Sequence, residues 1–284
     1  MSRRAAVTAV LLRGLVRPVL GPAVPLGVQR GFLTALQGGL PVPRGTRVWR
    51  SALGGRPTDV VTAAGADGPP VLLVHGGAFI TCSPRTHRAF AAHLSRAAGA
   101  PVHVQDHRLA PEHPFPAALD DTVAALRELG PDARVVGDSA GGWLALAAVL
   151  ALRDAGDPLP PKVGLVSPVV DLTLASALAW TGEDPLLSPG WMRMGVSAFL
   201  DGADARAHSP LFGDLSGLPP LLVQVSEHER LRPEGEELVR RVQAAGGDAT
   251  LSLLEGVWHD VHVQAGLLPE ATAAVRALGA WLAA

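Results

Sequence analysis

The sequence predicts an α/β fold built on a mostly parallel sheet. Three observations carry this: eight short apolar runs of strand length, amphipathic segments of helical period between the later ones, and glycines closing several of those segments. A chain of 284 residues with 48% hydrophobic and 18% charged residues can bury a large core, so one folded domain is expected. No apolar run is long enough to span a bilayer.

The elements follow in order. Residues 1–58 hold nine arginines and no acid, leaving a net charge of −11 for the rest of the chain. "MSRRAAVTAVLLRGLVRPVL" opens like a targeting segment, yet Arg13 and Arg17 interrupt its apolar run and no A-x-A site follows. Val7, Val10, Leu11 and Leu15 recur at helical spacing, so an amphipathic helix packed on the remainder through these positions is favoured over a membrane-surface segment. The candidate strands are "TRVWRSAL", "TDVVTAA", "PVLLVH", "PVHVQDH", "ARVVGD", "KVGLVSPVV", "PLLVQVS" and "ATLSLLEG". Helical patterns fill "RTHRAFAAHLSRAAG", "AALDDTVAALRELG", "GGWLALAAVLALRDAG", "PEGEELVRRVQAAGG" and "EATAAVRALGAWLAA". Residues 1–46 and 172–208 break the rhythm with helical patterns that lack a paired strand, and read as a cap over one edge of the sheet. There is no internal repeat.

Composition bounds the function. The single cysteine, Cys82, excludes an internal disulfide and fits a reducing, cytoplasmic setting. Basic residues are not interleaved with aromatics, so nucleic acid is not an expected partner. His103 and His107 lie four apart, but on a strand and turn that spacing does not converge, and no metal is expected.

Chemistry is concentrated in Gly137-Asp138-Ser139-Ala140-Gly141, a G-x-S-x-G between a strand and a helix. A sharp turn there projects the Ser139 hydroxyl above the sheet edge, and only glycine-sized neighbours leave room for it. The amide of Ala140 opens the helix beside it. Upstream, a strand ends at His75, and Gly76-Gly77-Ala78 can offer consecutive backbone N–H groups to an anion. Asp138 is expected to face away from the substrate.

With "HGGAF", "DHRLAPEHPFPAALDD", "GDSAGG", "SPLFGDLSGLPP" and "EGVWHDVHVQAGLLPEA" in this order, the chain resembles the bacterial hormone-sensitive-lipase family of α/β-hydrolase esterases along nearly its whole length. The resemblance implies an α/β-hydrolase fold, a mostly parallel central sheet flanked by helices, with a helical cap from the N-terminus and an insertion. It departs from the family at Ala78, where a third glycine is usual, and at His107, where tyrosine is usual. It implies that Asp106, His107, Arg108 and Glu112 form a structural network beneath the oxyanion loop.

A serine hydroxyl needs a base, and the base needs a carboxylate. In this fold the chain order is Ser, acid, His. His259 follows a strand at a loop, where the family places its catalytic histidine, and His262 reads as a packing or helix-start residue. Matching "RLRPEG" to the family's acid segment puts Glu229 at the carboxylate, with Glu227 the other candidate. The expected machinery is Ser139, His259 and Glu229, with an oxyanion hole of Gly76, Gly77 and Ala140. Ala78, Phe79, Trp180, Trp191 and Met194 are candidates for the substrate pocket, joined by Met192, Phe199, Leu33 and Leu36. The expected reaction is hydrolysis of short to medium acyl esters or lactones, with no cofactor and with a homodimer left open. Non-hydrolytic chemistry on the same scaffold and ligand binding without turnover are the alternatives.

Overall fold

The structure is a computed structural model that describes residues 2–284. Its centre is one eight-stranded sheet in the order β1-β2-β4-β3-β5-β6-β7-β8. The strands are β1 (Arg47–Leu53), β2 (Arg56–Thr62), β3 (Val71–Val74), β4 (Val102–Gln105), β5 (Arg134–Asp138), β6 (Val163–Val166), β7 (Leu221–His228) and β8 (Ala249–Trp258). Gly54 and Gly55, both at positive φ, close β1 and β2 into a hairpin, because a tight turn matching strand twist needs that conformation twice. β2 meets β4 antiparallel, and every pairing from β4 to β8 is parallel. Such strands are covered on both faces, which is why β3, β5 and β6 are wholly buried and why β3 and β6 read as unbroken apolar runs.

Helices α3 (Arg88–Ala98) and α9 (Pro269–Ala283) pack on one face of the sheet. Helices α4 (Ala117–Leu129), α5 (Ala140–Ala155) and α8 (Arg232–Ala244) pack on the other. Left-handed glycines end α3 at Gly99 and α5 at Gly156, whereas α8 runs through Ala245 before Gly246 turns the chain. From β3 the chain crosses to β4 on one side, and the next strand, β5, lies on the other side of β3. The order therefore reverses between neighbours β3 and β5, and their carboxyl ends frame the crevice where this architecture places its chemistry.

Helix α1 (Arg3–Leu11) widens into a π turn over Leu12–Val16, and α2 (Leu26–Gln37) follows. The face of α1 that packs is not the one its periodicity suggested. Val7, Val10, Leu11 and Leu15 lie outward, Val10 being 71% exposed, while Ala5, Leu12 and Val16 are buried. Both sides of this helix are apolar, and the small Ala5 side chain allows the closer approach. Helix α2 is clamped through Arg30, which donates to the carbonyls of Ile80 (2.8 Å) and Ala110 (3.1 Å) and forms a forked pair with Glu112 (2.6 and 2.8 Å). The insertion carries α6 (Ala175–Ala179) and α7 (Pro189–Leu200). Trp191 on α7 donates its indole N–H to Gln29 Oε1 on α2 at 2.9 Å, joining the two segments over the crevice. No helix among the described residues is long and apolar enough to cross a membrane.

Candidate active site

Ser139 sits between β5 and α5 with φ 53° and ψ −119°, a strained conformation for a non-glycine residue. The turn is possible because its neighbours lack side chains. A Cβ on Gly137 would run into the carbonyl of Gly141, one on Gly141 into the carbonyl of Val74, and one on Gly142 would meet Pro168 at 2.7 Å. The glycines thus let α5 start hard against β3, with the Ser139 hydroxyl above the sheet.

His259 follows β8 and places Nε2 3.0 Å from Ser139 Oγ. Its Nδ1 lies 3.2 Å from Glu229 Oε2, and the other Glu229 oxygen accepts the N–H of Ser226 at 2.9 Å. Ser139, His259 and Glu229, drawn from three distant segments, are all buried. Glu227 takes no part: it is partly exposed, and its carboxylate accepts the Gly256 N–H at 2.8 Å. His262 is buried in the turn after His259, with Nε2 2.8 Å from Gln224 Oε1, and burial pushes it down to about 4.

One of the expected anion donors is already engaged. The Gly76 N–H donates to Asp138 Oδ2 at 3.0 Å, so it is not available to a substrate. The amides of Gly77 and Ala78 in the loop, and of Ala140 at the start of α5, have no acceptor among the described residues. These three amides, and not that of Gly76, are free to meet an anion at Ser139. Ala78 holds φ 53°, which glycine would adopt at less cost, and its side chain fits because residue 195 is glycine.

Asp138 also departs from expectation: it lines the cavity beside Ser139 instead of facing away. Its Oδ2 is shared by Gly76 N–H and by His87 Nε2 at 2.9 Å. Burial works against a charged His87, but Asp138 outweighs it and His87 is raised above the usual histidine value. His107 is stacked on His75 with ring centroids 4.1 Å apart, and its Nε2 lies 3.3 Å from the His75 carbonyl. It packs beneath the loop and does not line the cavity. Nearby, Arg108 forks onto Asp121 (2.7 to 3.1 Å), while Glu112 belongs to the Arg30 clamp.

The sequence reading missed Asp260. It adopts a left-handed conformation at φ 51°, and its Oδ2 lies 3.1 Å from His259 Nε2, the nitrogen that faces Ser139. Burial pushes Asp260 up to about 7. Burial would lower His259, but Asp260 and then Glu229 overcome it and hold the imidazole well above its ordinary value. The signal available in the sequence was the carboxylate directly after the histidine in "WHDVH".

A cavity of about 220 Å³ opens at Ser139 and His259, walled largely by Leu12, Val16, Leu20, Leu33 and Trp191. Leu36 and Cys82 also line it. A recess of about 20 Å³ on the other side of Ser139 touches Ala78, Phe79, Trp191 and Met192. Two expected pocket residues lie elsewhere. Trp180 faces the Arg230 guanidinium, 5.6 Å from its ring, and Met194 packs against the core. Phe199 stacks on Phe79 at 4.0 Å and belongs to the interior.

The family model for the alpha/beta hydrolase fold matches residues 71–263. An acetyl-hydrolase of Streptomyces hygroscopicus is 40% identical over 250 residues, covering 81% of this chain and 84% of that protein. A crystal structure of an esterase from the bacterial hormone-sensitive lipase family superposes with a TM-score of 0.91 at 35% identity, covering 100% of this chain and 98% of the other. The esterase EstE5, in crystals soaked with p-nitrophenyl butyrate, gives a TM-score of 0.92 at 33% identity, covering 100% and 98%. With the strained serine, the glycine elbow and the sheet order already in place, the chain belongs to the α/β-hydrolase family, in its bacterial hormone-sensitive-lipase branch of esterases.

Proposed function

We propose that the protein hydrolyses carboxylic esters and lactones of short to medium acyl chain through an acyl-enzyme on Ser139. The observation that carries this reading is the continuous chain Ser139 Oγ, His259 Nε2, His259 Nδ1, Glu229 Oε2, at 3.0 and 3.2 Å, beside three amides without acceptors. Neutral His259 takes the Ser139 proton as Oγ attacks the acyl carbon. Glu229 holds Nδ1–H and stabilises the imidazolium that forms. The developing oxyanion is received by the N–H groups of Gly77, Ala78 and Ala140, each such donor being worth about 3 kcal/mol in the transition state. His259 then gives its proton to the leaving alcohol, and water activated by the same nitrogen releases the acid. This chemistry needs no cofactor.

The short acyl range is supported by the modest cavity, by the acetyl-hydrolase among the relatives and by the butyrate ester soaked into EstE5. The two segments joined by Gln29 and Trp191 act as the cap that shapes the apolar wall. The test is turnover of p-nitrophenyl esters from acetate to decanoate by the wild type and by Ser139→Ala, with products analysed in ¹⁸O-water. Turnover at short chain lengths that is lost in the variant, with solvent oxygen in the acid, is expected. Equal rates in the two proteins, or acid without label, would overturn it.

A further inference from the structure

Asp260 carries an atom that the mechanism leaves unused. Its Oδ2 faces His259, but its Oδ1 is buried and has no hydrogen-bond partner among the described residues. The residue as a whole is 9% exposed and lines the cavity at Ser139, whose walls are otherwise mainly apolar. A buried carboxylate oxygen without a donor is costly, and this one belongs to a residue that lines the cavity, where a ligand can bring the missing donor to the carboxylate.

Its place relative to the reaction says which part of a ligand. His259 Nε2 must protonate the leaving oxygen, so the alcohol half of the ester passes within hydrogen-bond reach of that nitrogen. Asp260 Oδ2 already stands 3.1 Å from it. The carboxylate therefore borders the first carbons of the departing alcohol.

The surrounding groups say which donor. His259 faces the Asp260 carboxyl, and His87 faces Asp138, whose Oδ1 is likewise unpartnered in the same cavity wall. Each acid spends one oxygen on an imidazole, and the lone pairs on its other oxygen can accept from a single hydroxyl donor.

We propose that Asp260 is a specificity-determining residue whose carboxylate accepts a hydrogen bond from a hydroxyl next to the scissile ester, so that monoesters of 1,2-diols are preferred substrates. The inference rests on the ester-hydrolase reading and goes further by naming the alcohol.

The experiment compares kcat/KM for 2-hydroxyethyl butyrate, propyl butyrate and protonated 2-(dimethylamino)ethyl butyrate in the wild type, Asp260→Asn and Asp260→Ala. The hydroxyethyl ester should exceed the propyl ester by about 10-fold or more in the wild type. That ratio should fall in Asp260→Asn and approach one in Asp260→Ala. A wild-type ratio near one overturns the inference without any variant having to fold, as does a ratio unchanged in either variant or a preference for the cation. In these cases continued hydrolysis of propyl butyrate leaves the ester-hydrolase reading standing. Failure to hydrolyse any of the three esters would remove both.

Discussion

Asp260 Oδ2 and Ser139 Oγ stand at nearly equal distances, 3.1 and 3.0 Å, from the same nitrogen of His259. The base that must accept the serine proton is thus held by a neighbouring acid as well. Glu229 faces the imidazole from the residue after β7, and Asp184, Asp138, His87 and His262 lie around the group. Burial lowers His259, Asp260 and Glu229 raise it, and the result lies well above the ordinary histidine value.

Catalysis needs the neutral imidazole, so activity is lost as pH falls through this raised value and the acid limb lies on the alkaline side. Replacing Asp260 with Asn removes the stronger of the two raising groups. The kcat/KM profile of Asp260→Asn should therefore begin to rise at lower pH than that of the wild type. Superimposable acid limbs in the two profiles would show that Asp260 does not hold the proton.

Two glutamates compete on paper for the triad, and their surroundings separate them. Glu229 is fully buried against His259 Nδ1, whereas Glu227 is partly exposed and serves the Gly256 amide. Glu229→Gln should lower kcat by about 10²- to 10⁴-fold, because the amide can offer its N–H to Nδ1 and favour the wrong tautomer. Glu227→Gln should stay within about 3-fold of the wild type, since the amide keeps an oxygen to accept from the Gly256 N–H and exposed charges contribute little. Steady-state kinetics on one ester decides it, and comparable losses in both variants would contradict the assignment.

The legibility of this chain follows the range of the forces involved. The central strands stood out because burial on both faces writes short apolar runs, whereas β1 and β8, exposed or half-buried along most of their length, stood out by their β-branched and apolar residues alone. The elbow was legible because close backbone approach admits only glycine at 137 and 141. What was not legible depends on contacts between distant segments. The capture of the Gly76 amide by Asp138 needs β3 and β5 side by side, which no local pattern records. In α1 both faces are apolar, so periodicity alone chose Val7 and Val10, and tertiary packing chose Leu12 and Val16. Trp180 and Trp191 look alike in sequence, and only the path of the insertion sends one to Arg230 and the other to the cavity.

Cys82 offers a probe of the cavity. It lines the space beside Ser139, and burial pushes its thiol up to about 12. The thiolate is the reactive form, so modification should be slow at pH 7 and accelerate with each unit of pH. Once attached, a bulky group occupies part of a cavity of only about 220 Å³. Turnover should then fall in step with labelling by N-ethylmaleimide at pH 9, and Cys82→Ser should resist. Full activity after complete labelling, followed by mass spectrometry, would show that this wall is not on the substrate path.

Glu234 on α8 links the active-site side of the sheet to stability. One of its oxygens accepts the N–H groups of Val170 and Asp171, both at 2.7 Å, and pins the chain after β6, while the other oxygen is buried without a partner among the described residues. Burial pushes the group up to about 8, against the pull of the two backbone donors and with a further push from Asp171 and Glu229. The folded protein therefore favours the protonated acid more than the unfolded chain does. Its contribution is fully present below the ordinary carboxyl value near 4.5, declines above it, and is lost once the pH passes about 8. Glu234→Gln keeps one acceptor for the backbone and cannot ionise, so its stability should not share this decline. Between pH 6 and pH 9 the Tm of the wild type should drop relative to that of Glu234→Gln by about 3 °C or more. Thermal unfolding of both proteins across this range gives the answer, and parallel curves would show that the carboxyl group does not titrate in the folded state.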